Sequence, residues 1–575
     1  MDLRLHGIEA SDDERDALDA ATGGESAGRR DLLLPALRAL QERVGWISPG
    51  GLDEICRRLE IPPAEAWGVA SFYALLALER DAPVVAHVCD DVVCARRGAE
   101  QLCGELTRAF GPEGNAAGRS VGWRRTNCLG QCDRAPAVLV LAAGAPTTEL
   151  VVAPASSAEV TTAARDRWLA PSSAPVAVGT TLLRRVGVVD PASLDEYLAA
   201  GGYAALSRAI EIGPAAVIDA VARSGLTGRG GAGFPAGRKW EAVAGAPVRP
   251  HEIVVNADES EPGTFKDRVL MEGDPFAVVE AATIAGFAVG AERGYVYIRG
   301  EYPVAVQRLQ TAMDAARERG YLGNDVLGTG RRFDLEIRRG AGAYVCGEET
   351  ALLNSIEGRR GEPRNRPPFP AEVGLFGRPT LVNNVETLVN VLRVLVEGAD
   401  VFRATETKLA CVSGDVTQPG THEVRFGTSV RELVQRAGGM RQGDLRAALV
   451  GGAAGRVLAG DELDQPLDAA RLGVGAVVAL DESTNVTDVL VRIAAFFRDE
   501  SCGQCVPCRV GTVRQEELLH RVASGRLLGS VEDERARFDD LVAVMGDASI
   551  CGLGQLATTA AASVVERGDL FEEPR

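Results

Sequence analysis

Cysteine thiolates carry the clearest chemical signal in this chain, because eight of its twelve cysteines fall into two tight sets. The first set is Cys89, Cys94, Cys128 and Cys132, and the second set is Cys502, Cys505, Cys508 and Cys551. In a reducing compartment such spacing favours metal or redox chemistry over disulfides. The second set opens as C-x-x-C-x-x-C, which can ligate three corners of a cubane while a later cysteine supplies the fourth.

Zinc is the alternative ligand for both sets. Four-thiolate zinc normally uses two separated C-x-x-C pairs, so the crowded triplet of the second set favours a [4Fe-4S] cluster. The first set, C-x4-C followed by C-x3-C, is compatible with zinc or with a [2Fe-2S] cluster on spacing alone. The five histidines form no H-E-x-x-H pattern, so a zinc hydrolase has no support.

A glycine-rich stretch at 224–240, SGLTGRGGAGFPAGRKW, raises the question of phosphate binding. It matches G-x-G-x-x-G at Gly228, Gly230 and Gly233. In a Rossmann unit this fingerprint follows a strand and opens a helix, whereas here helical sequence precedes it. Basic side chains that suit a phosphate are Arg229, Arg238 and Lys239. The context excludes a Rossmann unit but leaves both nucleotide binding and a mere tight turn open.

Three further loops are dense in Asn, Asp and Glu and follow strand-like sequence. They are 254–268 (VVNADESEPGTFKDR), 340–370 (GAGAYVCGEETALLNSIEGRRGEPRNRPPFP) and 379–388 (PTLVNNVETL). Carboxylates and amides at strand ends suit ribityl and ribose hydroxyls and the edges of a flavin ring. A single loop of this kind reads as a solvated surface, but three in one domain favour a nucleotide or flavin site.

The elements that must position these residues divide the 575-residue chain into several domains. Hydrophobic periodicity predicts a multidomain protein of α/β and α+β character without internal repeats. The predicted order is an N-terminal extension (1–29), a bundle of three short helices (30–80), a small α/β domain (81–168), an Ala/Pro/Ser-rich linker (169–179), an α/β sheet domain (180–405), a compact α+β module (406–483) and a helical region with cysteine loops (484–575).

Charge and hydropathy restrict the partners. The formal net charge of −18 argues against nucleic acid, which normally meets a basic face. The sequence has no apolar run of the ~18 residues that would cross a bilayer. Its acidic start, MDLRLHGIEASDDERD, does not resemble a signal peptide. We therefore expect a cytoplasmic protein without direct membrane insertion, whose partners are proteins and small ligands.

Several of these motifs together resemble the NADH-oxidising flavoprotein subunit of respiratory complex I and its relatives in soluble NAD-linked hydrogenases and formate dehydrogenases. The motifs are GRGGAGFP, NADESEPGTFKDR, GAGAYVCGEETALL, VNNVETL and SCGQCVPC with a later SICGLG, and the resemblance covers about 180–575. Upstream, LLPALRALQERVGWIS, VASFYALL and CLGQCDRAPA are similar to the thioredoxin-like [2Fe-2S] subunit that accompanies it. The chain resembles a fusion of the two.

The resemblance implies an FMN/NAD-binding α/β domain, a ubiquitin-like (SLBB-type) β-grasp module, a thioredoxin-like ferredoxin domain and a C-terminal helical bundle. It implies FMN, NAD(H), one [4Fe-4S] cluster and one [2Fe-2S] cluster, with the eight cysteines of the two sets as iron ligands. The residues implied for FMN are Gly228, Arg229, Gly230, Gly231, Gly233, Lys239, Asn256, Asp258, Glu259, Gly347, Glu348, Glu349, Asn383, Asn384 and Thr387. Among them, Arg229 and Lys239 would meet the phosphate.

For NAD(H), the resemblance implies Phe234 and Phe369 beside the adenine, Glu261 near a ribose, and Arg366. Hydride transfer needs no acid, base or nucleophile, so catalysis would consist mainly of positioning, with Glu349 near the ring and Glu261 as the residues closest to the chemistry.

The chain is most similar to the β subunit of soluble NAD-dependent formate dehydrogenase. This resemblance depends on the fusion of the two parts and on the stretches YLAAGGYAAL (197–206), MGDASICGLGQ and the ending DLFEEPR. The expected partner is then an iron–sulfur-containing α subunit with molybdenum or tungsten. One alternative is the diaphorase subunit of a NAD-reducing hydrogenase or the corresponding NADH-quinone oxidoreductase (complex I) subunit. A second is a non-catalytic scaffold in which zinc holds both cysteine sets.

Overall fold

The N-terminal helices form a bundle. A computed structural model describes residues 9–23, 26–114, 116–169 and 176–568. The bundle helices are α1 (Asp12–Thr22), α2 (Leu33–Val44), α3 (Pro49–Leu59) and α4 (Pro63–Ala70). The Ser11 and Ser48 side chains cap α1 and α3. Part of the segment 1–29, predicted as an extension, therefore forms a helix, and α1 packs against α2 and α3.

The small α/β domain is a four-stranded sheet of order β2-β1-β3-β4. Its elements are β1 (Val84–Cys89), α5 (Val92–Arg96), α6 (Ala99–Phe110), β2 (Val121–Thr126), β3 (Val138–Ala142), β4 (Thr148–Val152) and α7 (Ser157–Asp166). Strands β1 and β2 are parallel, and the other pairs are antiparallel. The sequence pattern predicts β1, α6 and the pair β3–β4 but misses β2, whose half VGW is buried and whose half RRT is partly exposed.

The predicted linker 169–179 lies outside the described residues at 170–175, and its end forms a short strand, β5 (Ala177–Val178). The next domain contains α8 (Leu194–Ala199), α9 (Ala204–Ile212), α10 (Pro214–Ser224), α11 (Ala236–Gly245), β6 (His251–Ala257), α12 (Lys266–Gly273), α13 (Pro275–Val289), β7 (Ala291–Ile298), α14 (Pro303–Glu318), β8 (Asp334–Arg339), α15 (Glu349–Ile356), β9 (Thr380–Asn384), α16 (Val385–Glu397) and α17 (Ala399–Thr405).

Its sheet is wholly parallel, in the order β8-β7-β6-β9. Strand β6 is almost continuously buried and α13 is apolar and buried along nearly its whole length, as expected for a parallel sheet covered by helices. Because β6 and β9 are adjacent, Asn256 pairs with Asn384 and Val255 with Asn383. The carboxyl ends of these strands thus bring the predicted amide side chains to one edge, where ligands of open parallel sheets bind.

The α+β module is a β-grasp-like mixed sheet of order β13-β12-β14-β10-β11-β5. Its elements are β10 (Thr407–Gly414), β11 (Gly420–Arg425), α18 (Val430–Arg436), β12 (Leu445–Val450), β13 (Arg456–Ala459), α19 (Ala469–Leu472) and β14 (Ala476–Asp481). Strand β5, which arrives from the end of the predicted linker, extends the sheet in parallel with β11. We call residues 406–483 the ubiquitin-like module.

The C-terminal region is helical, as predicted, and its helices are α20 (Val486–Glu500), α21 (Val506–Ala523), α22 (Val531–Ala548), α23 (Gly552–Leu556) and α24 (Thr559–Val565). Cys502 and Cys505 lie in the turn between α20 and α21, Cys508 lies in the first turn of α21, and Cys551 lies between α22 and α23. The ending DLFEEPR lies outside the described residues. None of the described helices is both long and apolar enough to cross a membrane. The predicted fold class is confirmed.

Candidate functional site

The glycine loop lies between two helices, α10 and α11, so it is not a Rossmann turn. It is closed by a bond from Gly228 N–H to the Phe234 carbonyl (2.9 Å). Gly231 (φ 110°) and Gly233 (φ 63°) adopt backbone conformations that favour glycine. In the part of the chain that the structure describes, the backbone N–H groups from Gly230 to Phe234 have no hydrogen-bond partner. Free amides ahead of a helix start suit an anion such as a phosphate.

Lys239 and Glu349 form an ion pair beside this loop. The Lys239 Nζ donates to Glu349 Oε2 (2.8 Å) and to the Val382 carbonyl (3.2 Å). Arg366 Nη1 approaches the other Glu349 oxygen at 3.3 Å. All three side chains are partly exposed. This arrangement places the Lys239 ammonium and the Glu349 carboxylate together beside strand β9, whose Val382 carbonyl the ammonium contacts.

The amide side chains of the strand ends are drawn into one network. Asn256 Nδ2 donates to the Gly347 carbonyl (2.8 Å), and Trp240 Nε1 donates to Asn383 Oδ1 (2.9 Å). A Cβ at Gly347 would lie 3.4 Å from the Asp258 carbonyl, so the two loops approach closely. Asn384 caps α16 by accepting the N–H of Thr387 (3.3 Å). These residues, which are far apart in sequence, therefore lie together at the carboxyl edge of the sheet, a region that we call the flavin-type cleft.

Arg229 differs from its predicted role. Its guanidinium is buried, pairs with Glu406 and lies 5.3 Å from the centre of the Phe426 ring. Its backbone N–H donates to Thr387 Oγ1 (2.8 Å). The prediction that the Arg229 side chain meets the phosphate is therefore wrong, because the side chain points into the ubiquitin-like module instead.

Two of the predicted flavin carboxylates act as helix caps. Glu259 accepts the N–H groups of Asp267 and Arg268 (both 2.9 Å) at the start of α12, and burial raises the pKa of this carboxyl group to about 7. Glu348 accepts the N–H groups of Thr350 and Ala351 (both 2.9 Å) at the start of α15. These bonds occupy both carboxylate oxygens of Glu259 and the Oε2 of Glu348.

Glu261 links the cleft to the ubiquitin-like module. Its Oε2 accepts the hydroxyl of Tyr344 (2.5 Å), and its Oε1 accepts the N–H of Ala454 (2.8 Å). Burial raises the pKa of the Glu261 carboxyl group to about 7. Phe234 and Phe369, predicted to flank an adenine, are 51% and 52% exposed, which leaves their ring faces free for stacking.

The buried Asp258 carboxyl group should make the stability of the folded protein depend on pH. Desolvation raises the pKa of this carboxyl group to about 8, against about 4 in an unfolded chain. Between these values the folded protein binds one proton more than the unfolded chain, so stability falls as pH rises. We expect the melting temperature of the flavin-free protein to drop between about pH 6 and about pH 8, and to drop less in Asp258→Asn. Parallel pH profiles for the two proteins would contradict this assignment.

The first cysteine set gathers in the interior, although its members come from a strand end, a short helix and a loop. All four thiols are buried. The Sγ atoms of Cys128 and Cys132 are 3.5 Å apart, and Cys89 contacts both Cys128 and Cys94. A close thiol pair suits two thiolates on one iron of a binuclear cluster. The loop that contains Cys128 is bound to the α/β sheet domain (180–405), because Arg299 Nη2 donates to the Cys128 carbonyl (2.6 Å).

The second cysteine set lines a small cleft that all four members share with Val345. Burial raises the pKa of the Cys508 thiol to about 12 and that of Cys551 to about 11, so thiolates here require a bound cation. Among the described residues, no three His, Cys, Asp or Glu side chains are close enough to hold a single metal ion.

Glu500 joins the loops of both cysteine sets and the flavin-type cleft. Its Oε1 accepts Asn127 Nδ2 (2.8 Å) and its Oε2 accepts the Tyr344 N–H (2.8 Å). Asn127 precedes Cys128, and Glu500 lies two residues before Cys502. The sequence patterns do not single out Glu500, Asn127 or Tyr344, although each lies within three residues of a predicted site residue. That proximity is the signal that could have found them.

Comparison with known proteins matches four parts of the chain. Four family descriptions match: Nuo51 FMN-binding domain (221–393), thioredoxin-like [2Fe-2S] ferredoxin (21–149), NADH-ubiquinone oxidoreductase-F iron-sulfur binding region (488–569) and SLBB domain (409–455).

Two curated relatives and one solved structure show the extent of the similarity. NADP-reducing hydrogenase subunit HndC of Solidesulfovibrio fructosivorans is 44% identical over 391 residues, which is 65% of this chain and 78% of that protein. An NADH-quinone oxidoreductase subunit of Aquifex aeolicus is 42% identical over 385 residues, which is 65% of this chain and 89% of that protein. A chain of the NAD+-reducing [NiFe]-hydrogenase in the H2-reduced state superposes with a TM-score of 0.82 and 31% identity, covering 96% of this chain and 94% of that one.

Proposed function

The chain belongs to the NADH-quinone oxidoreductase family defined by the Nuo51 FMN-binding domain, here joined to a thioredoxin-like [2Fe-2S] domain, and on this premise we propose that it is a diaphorase subunit exchanging electrons between NAD(H) and a separate iron–sulfur enzyme. As a family member it is an NADH:acceptor oxidoreductase subunit with FMN, one [2Fe-2S] and one [4Fe-4S] cluster. The FMN and iron–sulfur regions that these family descriptions name support electron transfer over the zinc scaffold.

The residues that would hold FMN are those of the cleft. Bound FMN supplies the conversion between two-electron hydride exchange and one-electron transfer to the clusters. The free loop amides and Lys239 would bind its phosphate, and Asn256 and Asn383 would bind its ribityl hydroxyls. Glu349 would lie near the ring, and Phe234 and Phe369 would stack on the adenine of NAD(H). No side chain has to transfer a proton, so these residues act by positioning.

The observation that carries this proposal is the segment from Tyr344 to Gly347, which borders two sites at once. The Tyr344 hydroxyl contacts Glu261 in the cleft, and the Gly347 carbonyl binds Asn256. Between them, Val345 lines the cleft of the second cysteine set. A flavin and a cubane held on either side of four consecutive residues would be close enough for direct transfer of electrons.

An exposed apolar stripe adjoins the second cysteine set. Val506, Val510 and Val513 lie at i, i+4 and i+7 of α21 and are 60%, 45% and 37% exposed. Cys502 and Cys505 are only partly buried at the same end of the helix. We take this stripe as the docking face for the iron–sulfur partner, since apolar contacts there would bring a partner cluster next to the cubane.

For the partner enzyme, the relatives favour the alternative to formate dehydrogenase. The two relatives and the solved structure described above carry the names of hydrogenases and of NADH-quinone oxidoreductase. The solved hydrogenase chain also has both fused parts over nearly its whole length. We therefore rank a NAD-reducing hydrogenase or complex I-type partner first. A formate dehydrogenase α subunit with molybdenum or tungsten, which the sequence motifs favoured, ranks second.

The test is purification of the chain with its native partner. We expect a yellow-brown complex that contains FMN and iron and reduces an artificial electron dye with NADH. Nickel in the complex would identify a hydrogenase, molybdenum or tungsten a formate dehydrogenase, and neither metal a complex I-type partner. A colourless protein that contains zinc and lacks NADH-dependent dye reduction would overturn the proposed function.

A further inference from the structure

We propose that the ubiquitin-like module is part of the FMN site, because Lys408 and its neighbours hold the glycine loop in the shape that binds phosphate. This inference rests on the proposed function, and it gives the module a positioning role. The contacts that carry it join three elements: strand β10 of the module, the first turn of α16, and the glycine loop.

Lys408 reaches from β10 into the neighbouring domain. It is 1% exposed, and its Nζ lies 3.4 Å from the Arg229 carbonyl and 3.4 Å from Glu386 Oε2. The other oxygen of Glu386 accepts the Leu409 N–H (2.9 Å). One ammonium group therefore touches the glycine loop and the start of α16 together.

The first turn of α16 is bound to the same loop from the other side. The hydroxyl of Thr387 accepts the Arg229 N–H (2.8 Å). With Lys408 on the Arg229 carbonyl and Thr387 on its amide, both backbone polar groups of Arg229 are fixed. The amides that follow, from Gly230 onward, are left without partners among the described residues and are available to an anion.

The module also covers the back of the loop. The Arg229 guanidinium pairs with Glu406 and lies over Phe426, which anchors the loop by its side chain. A Cβ added to Gly231 would lie 3.0 Å from Val474 Cγ1, so the loop backbone rests directly on the module. Glycine-rich segments lose much conformational entropy on ordering, and a loop held in place before binding avoids that cost when the ligand arrives.

The ionic groups behind the loop balance one another. Lys266 lies 3.1 Å from Glu386 and 2.9 Å from Asp267, so Glu386 faces two lysines. Removing one buried partner leaves the others with uncompensated charge, which is strongly unfavourable. Loss of the Lys408 ammonium should therefore shift Glu386 and the loop together.

The experiment compares FMN with riboflavin, which lacks the phosphate. Flavin binding to the deflavinated full-length chain is measured by fluorescence titration for wild type, Lys408→Met and Val474→Ala. We expect Lys408→Met to weaken FMN about ten- to hundredfold, the range for loss of a hydrogen bond to a charged group, and Val474→Ala to weaken it less. Riboflavin affinity should stay unchanged, since the loop shapes only the phosphate site.

A matched control is Val434→Ala, which removes the same volume from the module's own core in α18. It should leave the ratio of FMN to riboflavin affinity as in wild type. The [4Fe-4S] signal of the dithionite-reduced protein shows whether each variant has folded. If Lys408→Met lacks that signal, the FMN to riboflavin affinity ratio of Val474→Ala is used as the test instead. Wild-type FMN to riboflavin ratios in the folded variants would overturn this inference, whereas absence of FMN binding by wild type would overturn the proposed function instead.

Discussion

A Cys551→Ser variant should keep its FMN and lose its [4Fe-4S] cluster. Cys551 is the one member of the second set that arrives from a separate turn, between α22 and α23, and it completes the cleft that the triplet opens. Three thiolates leave one iron corner without its protein ligand. Mutation of a residue that only hydrogen-bonds to a metal ligand typically lowers metal affinity or activity about 10–100-fold. Loss of a ligand itself should therefore lower the rate of electron transfer to the partner enzyme by more than about 100-fold.

The measurement separates the flavin from the cluster. NADH-dependent reduction of a dye that accepts electrons at the flavin should persist, while NADH-driven turnover of the partner and the [4Fe-4S] signal of the reduced protein should disappear. Cys103→Ser provides the control, because Cys103 is a buried cysteine of α6 outside both sets. A normal cluster signal in Cys551→Ser would remove Cys551 from the ligand set.

A Lys239→Glu variant should lose FMN. The Lys239 Nζ lies 2.8 Å from Glu349, beside the free amides of the glycine loop. Reversing this charge would place two carboxylates together at the position proposed for a phosphate, where attraction becomes repulsion. We expect FMN affinity to fall by more than about 100-fold, the equivalent of two lost tenfold steps of about 1.4 kcal/mol each.

Arg238→Glu is the matched control for this prediction. Arg238 makes the same change of charge one residue away, on an exposed position of α11. Flavin content after purification and FMN titration of the deflavinated protein should separate the two variants. Equal retention of FMN in both would show that Lys239 does not face the phosphate.

The cysteine sets could be read from sequence because their ligands are clustered along the chain. Cys502, Cys505 and Cys508 fall within one turn and the start of a helix, so local spacing alone implies their convergence. The alternation of strands and helices likewise predicts the α/β sheet domain, whose strand ends bring Asn256 and Asn384 together. Local patterns therefore indicate both the fold and the amide wall of the cleft.

Side-chain direction between domains could not be read in the same way. Arg229 follows Gly228 in a phosphate-type loop, yet it points to Glu406 of another module. Glu261 reaches Ala454 and Glu500 reaches Asn127 across separations of 193 and 373 residues. The role of Glu348, in contrast, can be read locally. It stands directly before the start of α15, and a carboxylate at that position indicates a helix cap. Contacts between domains thus determine the side-chain directions that spacing along the chain does not predict.

Anaerobic addition of NADH to the purified chain, followed by freezing for electron paramagnetic resonance, tests the central claim most directly. We expect NADH alone to bleach the flavin absorbance and to produce a reduced iron–sulfur signal, and we expect the flavin-depleted chain to produce no such signal until FMN is restored. Reduction of a cluster by NADH in the flavin-free chain, or no reduction of either cluster with FMN bound, would contradict that claim.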